Sequence, residues 1–200
     1  MNHLILFILL SFSAFAQTNP AIRLIDNMQK KYKGMGSFAA NFSYQTDGSA
    51  NMTGSITVKG TKFRLKTSGQ EIFNNGKEVA TYIKEINEVN ISSFDPADGD
   101  LNPAKIYTFD KKGYKFKLLS ENAGIATVEM LPGAKANEVK QITLKINKAD
   151  FTVKEWIITN KAGKKQEFKV TKLNTKAGVD DAYFTFNKKA YPGVEVNDLR

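Results

Sequence analysis

The 200-residue chain contains no cysteine, and its single histidine is His3. These two absences exclude Ser-His-Asp and Cys-His catalysis, the usual nitrogen and sulfur metal sites, and disulfide staples. They also exclude a lipid-modified bacterial lipoprotein, which needs a cysteine just after its signal region. A carboxylate enzyme such as a glycosidase stays open in principle. The carboxylate pairs on offer, Glu85 with Glu88 and Asp180 with Asp181, fall in charged stretches expected to be exposed. The expectation is therefore no enzyme, no cofactor and no metal. Long apolar runs are scarce too. The one that stands out, Leu4 to Phe15, is too short to cross a bilayer comfortably and ends at Ala14-Phe15-Ala16, a small-x-small cleavage pattern. Residues 1–16 are read as a cleaved signal peptide, despite an n-region without Lys or Arg, and residues 17–200 as one exported domain.

What is present describes an ordinary globule. Hydrophobic residues make up 42% and charged residues 24%, a balance that can fill a core at this length without staples. The formal charge is +9, and no charged residue precedes Arg23. For an exported chain, nucleic acid is not the expected partner. Lysines such as Lys111, Lys112, Lys115 and Lys117 are spread along strands and turns, as on a solvated face. The functional reading of the same charge is weak attraction to a phospholipid surface or an acidic protein.

The pattern is mostly of period two. Asn19-Pro20 starts an amphipathic helix over about Pro20 to Lys33, with Ala21, Ile25, Met28 and Tyr32 at helical spacing and Ile22 beside them. Phe38, Phe42 and Tyr44 then share one strand face. From Gly54 to Tyr82 short alternating runs (Ile56 and Val58, Phe63 and Leu65, Ile72 and Phe73, Val79 and Tyr82) are separated by polar turns, including Asn75-Gly76. This is a meander of antiparallel strands, and the run from Ile83 through Ile86, Val89 and Ile91 extends it. Ser93 to Asn102 reads as loop. Asn102-Pro103 opens a short helix with Ile106, Tyr107 and Phe109, ended by Gly113. Strands resume over 114–119, 125–131, 139–146 and 151–158, and again with Phe168, Val170 and Leu173. About ten antiparallel strands and two helices predict a single large curved sheet, an unclosed barrel whose apolar concave face the helices cover.

Four stretches resemble the LolA family of periplasmic outer-membrane lipoprotein carriers. They are Ser37-Phe38 to Gln45; Gly54 to Leu65; Asn75-Gly76-Lys77 to Tyr82; and Phe184-Thr185-Phe186 followed by Pro192-Gly193-Val194-Glu195-Val196-Asn197-Asp198. Together they run over nearly the whole mature chain. The resemblance implies an unclosed β-barrel with helical lids and a cavity for lipoprotein acyl chains. It also implies loading from an inner-membrane lipoprotein-releasing ABC transporter and delivery to an outer-membrane acceptor by a monomeric periplasmic protein. Carried over by family position, the cavity lining is Ile56, Val58, Phe63, Leu65, Ile72, Ile106 and Tyr107. Phe38 and Phe42 also match family positions, without an assigned face. Two departures stand out. Where many relatives have an Arg-Pro pair this chain has Lys59-Gly60-Thr61-Lys62, so the lid latch attributed to that Arg in some relatives is not expected. Leu65 and Ala80 stand where some relatives have Trp, which predicts a roomier cavity near Ala80.

Trp156 reads as a packing residue. Arg64 and Lys66 alternate with Phe63 and Leu65 and should point to the solvated outer face, where they could meet head groups or a partner. The alternative to a carrier is a periplasmic lipid or lipoprotein sensor of the same fold acting through protein contacts. A carbohydrate-binding β-domain would need exposed aromatic platforms.

Overall fold

The computed structural model describes residues 19–95, 107–133 and 138–200. The expected signal segment, Ile106 and most of the loop from Ser93 to Asn102 lie outside the described residues.

Helix α1 (Pro20–Gly34) forms where the start signals place it. The Asn19 side chain accepts a hydrogen bond from the Ala21 N–H, Pro20 occupies the first turn, and Lys31 and Lys33 sit where the helix dipole favours cations. Its buried face is Ala21, Leu24, Ile25, Met28 and Tyr32. Gly36, at φ +69°, carries the chain directly into β1.

Twelve strands follow: β1 (Ser37–Thr46), β2 (Met52–Lys59), β3 (Lys62–Lys66), β4 (Gln70–Asn74), β5 (Glu78–Ile83), β6 (Glu88–Ser93), β7 (Tyr114–Asn122), β8 (Ile125–Pro132), β9 (Val139–Asn147), β10 (Val153–Asn160), β11 (Lys165–Asn174) and β12 (Glu195–Asp198). They make one sheet in the order β12-β6-β5-β4-β3-β2-β1-β11-β10-β9-β8-β7, whose two ends do not meet. Two meanders, β1 to β6 and β7 to β11, join where β1 pairs with β11. The expected pairing of Val58 with Phe63 across the Lys59-Gly60-Thr61-Lys62 turn is present.

Three expectations are corrected. The sheet has twelve strands rather than about ten, and β12 runs parallel to β6, with Val196 opposite Val89. Ile86 lies in the turn between β5 and β6, 58% exposed, rather than in a strand. The described part of the expected second helix is not α-helical: Tyr107 and Thr108 form a turn, Phe109 and Asp110 are irregular, and Lys111–Gly113 is a single 3₁₀ turn capped by Asp110. A 3₁₀ turn is what a segment with lysines at 111 and 112 and no repeating apolar stripe sustains.

The main core lies between α1 and one sheet face. It collects side chains from every strand between β4 and β7 in the sheet order, with α1 and Tyr107. One helix reaches that many strands only if the sheet curls around it. A second, smaller core lies on the opposite face: Phe73, Ala80, Val89 and Val194, with Tyr82, Ile91, Phe186, Tyr191 and Val196 against them. The chain after β11 returns along the outer face of β3 to β6 and covers it.

Candidate functional site: an apolar cavity beneath helix α1

Near the C-terminal end of α1 the main core leaves a cavity of about 30 Å³, walled by Tyr32 of α1, Phe38, Ala40 and Phe42 of β1, Ile56 of β2, and Tyr107. Its far wall is Val153 and Trp156 of β10 with Val170 and Leu173 of β11. The lining is almost wholly apolar. The aromatic rings fix its shape. Tyr32 and Tyr107 stack at 5.0 Å, and Phe38 meets both edge-on at 5.2 and 5.1 Å. Trp156 stacks on Phe168 at 4.8 Å with nearly parallel planes, and Phe42 tilts against both. Such contacts add roughly 0.5–1.5 kcal/mol per pair beyond burial and hold rings in place.

Local sequence explains two features of this wall. Phe42 lies directly opposite Gly54 in β2, and its ring occupies the space a Cβ would need, 2.5 Å from Cζ. On β11, Val170 and Leu173 are three residues apart yet both line the cavity. A bulge in the β1–β11 pairing, where Asn41 meets Lys172 and Phe42 meets Val170, leaves Thr171 extra and turns Leu173 inward.

The polar atoms here are few. The Tyr32 hydroxyl accepts a buried hydrogen bond from the Val153 N–H at 3.1 Å, and burial pushes its pKa up to about 12. The Tyr107 hydroxyl is buried and has no hydrogen-bond partner among the described residues; burial, reinforced by Tyr32, pushes its pKa well above the ordinary phenol range. Both phenols are neutral at any physiological pH. Three further contacts hold α1, one to β7 and two to the segment after Tyr107. Asn19 donates to the Phe116 carbonyl at 3.1 Å, Gln29 donates to the Phe109 carbonyl at 2.9 Å, and Lys111 pairs with Asp26.

Of the residues expected to line a cavity, Ile56 and Tyr107 do. Val58, Phe63 and Leu65 are buried in the same core away from the cavity, and Ile72 packs at its margin. Phe38 and Phe42, whose face the sequence left open, point inward, and Trp156 is a cavity wall as well as a packing residue. Ala80 is not near the cavity. It lies beside Phe73 on the outer face, under the C-terminal segment, so no room is gained there.

The outer face holds the other concentration of polar chemistry, and it is not solvated as expected. The Arg64 guanidinium sits 4.5 Å from the Phe73 ring and 4.7 Å from that of Tyr183 and donates to Glu71 at 2.6 Å. Glu71, only 6% exposed, also pairs with Lys66 at 3.1 Å and accepts from the Tyr191 hydroxyl at 2.6 Å. Burial alone would raise the Glu71 carboxyl, but the hydrogen bonds from Tyr191, Arg64 and Lys66 outweigh it and hold its pKa below the ordinary value. At the β2–β3 turn Lys59 and Lys62 both grip Asp181, at 2.9 and 2.7 Å. The two lysines that flank the Gly60-Thr61 turn thus fasten the C-terminal segment. Asp181 is 62% exposed, and its carboxylate is drawn down to about 2 by Lys62 and Lys59. Among the described residues no group of His, Cys, Asp and Glu is placed to hold a metal ion.

Comparison with known proteins agrees with this architecture. No curated protein matches the sequence. Among solved structures, a conserved protein from Thermus thermophilus superposes with a TM-score of 0.61 at 14% identity, over 89% of this chain and 98% of the other. An outer membrane lipoprotein-sorting protein domain from Vibrio parahaemolyticus superposes with a TM-score of 0.51 at 12% identity, over 86% and 97%. At such identities these likenesses establish the fold. The family model of the outer membrane lipoprotein carrier protein LolA matches residues 12–164, and the chain therefore belongs to the LolA family.

Proposed function

We propose that this protein is a periplasmic carrier that takes up the acyl chains of lipoproteins leaving the inner membrane and hands them on at the outer membrane. The observation that carries this reading is the aromatic, nearly apolar cavity between a curled open sheet and helix α1. Acyl chains need a dry surface with few directed polar groups. As it stands the cavity, about 30 Å³, falls well short of the roughly 300–1,000 Å³ of small-molecule pockets. Cargo must therefore displace α1 from the sheet, and the partly satisfied closed state keeps release possible. The acyl chains themselves come from an inner-membrane ABC transporter and go to an outer-membrane acceptor. No step makes or breaks a covalent bond, and no cofactor takes part.

The test adds purified residues 17–200 to spheroplasts of the source species making a labelled outer-membrane lipoprotein. A carrier brings label into solution as a one-to-one complex. If a folded protein binds an acyl probe but releases no lipoprotein, the carrier reading is lost and a sensing role takes its place.

A further inference from the structure

We propose that the Tyr107 hydroxyl is a recognition donor for an acyl carbonyl, so that the cavity selects ester- or amide-linked chains over plain hydrocarbon. This rests on the acyl-binding reading above and specifies the chemistry of that site.

Among the described cavity-lining side chains, Tyr32, Tyr107 and Trp156 carry a polar atom. The Tyr32 hydroxyl oxygen accepts from the Val153 N–H, which holds that group against β10, and the Trp156 indole lies flat on Phe168. Tyr107 is 7% exposed, and its hydroxyl is buried without a partner among the described residues. A buried unpaired hydroxyl destabilises the state that contains it, and native proteins retain few. Nothing about ring packing requires it, since a phenylalanine would make the same stack on Tyr32 and the same edge contact with Phe38. The group is a neutral donor, because burial holds it protonated. An anionic head group would be desolvated in this apolar lining with no cation among the lining residues, so a phosphate does not fit. An alkane would leave the hydroxyl unpaired. A carbonyl oxygen accepts its hydrogen bond without bringing charge.

The experiment compares an ester-linked lysophosphatidylcholine with its ether-linked analogue of equal chain length, both below their micelle concentrations, by Trp156 fluorescence. The wild-type protein binds the ester about 5- to 10-fold more tightly, the yield of one net buried hydrogen bond. Tyr107→Phe brings the ester down to the ether's affinity, leaves the ether unchanged, and does not lower the thermal midpoint of the unliganded protein. Tyr32→Phe lowers that midpoint, and loss of the ester preference in Tyr32→Phe but not in Tyr107→Phe overturns the assignment to Tyr107. Equal wild-type affinities, or an equal loss for both probes in Tyr107→Phe, overturn the carbonyl assignment while acyl binding stands. Failure of both probes to bind overturns the acyl-binding reading and this inference with it. Acyl carbonyls occur in lipoproteins and phospholipids alike. Competition by a triacylated lipopeptide or by a diacyl phospholipid tells which supplies them, and displacement by neither overturns the assignment.

Discussion

At the scale of single residues, two positions decide how the cavity wall is held. Gly54 faces Phe42, and a Cβ there would stand 2.5 Å from the ring and 2.8 Å from the Lys66 carbonyl oxygen. The ring alone could swing aside, but the carbonyl belongs to the β2–β3 ladder and cannot. Gly54→Ala is therefore expected to cost about 1–3 kcal/mol, the usual penalty of overpacking, read as a lower urea midpoint with an unchanged slope. The same substitution pushes Phe42 toward Trp156 and alters the indole emission. Tyr32 is the complementary case. Removing its hydroxyl strands the buried Val153 N–H, and Tyr32→Phe should lose about 1–3 kcal/mol in the same measurement. Two stacked tyrosines thus have opposite stability signatures, because one hydroxyl has a partner and the other has none among the described residues.

At the scale of elements, the segment after β11 acts as a strap on the outer face of β3 to β6. Its fastenings are Asp181 on Lys59 and Lys62, Tyr183 over Arg64, Tyr191 on Glu71, and Arg200 on Glu78 at 2.6 Å. The central one is the most enclosed. Glu71→Ala leaves Arg64, 17% exposed, against two aromatic rings without its carboxylate, and should cost about 2–3 kcal/mol, below the fully buried range because Arg64 keeps some water contact. Glu71 has a folded pKa below its unfolded one, so its contribution is complete above the ordinary carboxylate range and is lost as pH falls through the folded value. Asp181, drawn down to about 2, follows the same sign. Pepsin should accordingly begin to cut within residues 175–194 as the pH drops below about 4, and Glu71→Gln should remove the Glu71 part of that acid dependence. No change in cutting with pH would show that these ion pairs do not hold the strap. The strap also marks the limit of what the sequence reveals. The meander and the Val58–Phe63 register were legible because a short polar turn between alternating runs permits one pairing. The outer core was not, because Arg64 reads as surface charge until the returning chain covers it and Glu71 pairs with it. The far cavity wall was missed for a related reason. Alternation assigns faces strand by strand, but a bulge at Thr171 breaks the count, and no pattern says which strands curl to meet the end of α1.

At the scale of the whole molecule, the open sheet and α1 pack together and leave only a small apolar cavity between them. Ala21, Ile25 and Met28 are fully buried, and roughly 1.5–3 kcal/mol attends the burial of each large apolar side chain. Lifting α1 is therefore unfavourable by several such terms. An acyl chain offsets them at about 0.8 kcal/mol per methylene, so a chain of ordinary length suffices and a short one does not. The affinity for acyl probes should consequently rise steeply with chain length above a threshold. The role of α1 can be isolated because the native chain has no cysteine to compete. Asp26 on α1 and Lys111 beside β7 already pair, so Asp26→Cys with Lys111→Cys can be joined by a short bis-maleimide without moving either element. The linked protein should keep its unfolding midpoint or raise it and lose at least about 10-fold in affinity for a long-chain probe, since the helix can no longer leave the sheet. The unlinked double variant should bind as the native protein does, or slightly better for want of the ion pair. Full uptake by the linked form would mean that cargo enters without displacing α1, and the cavity beneath it would then not be the acyl site.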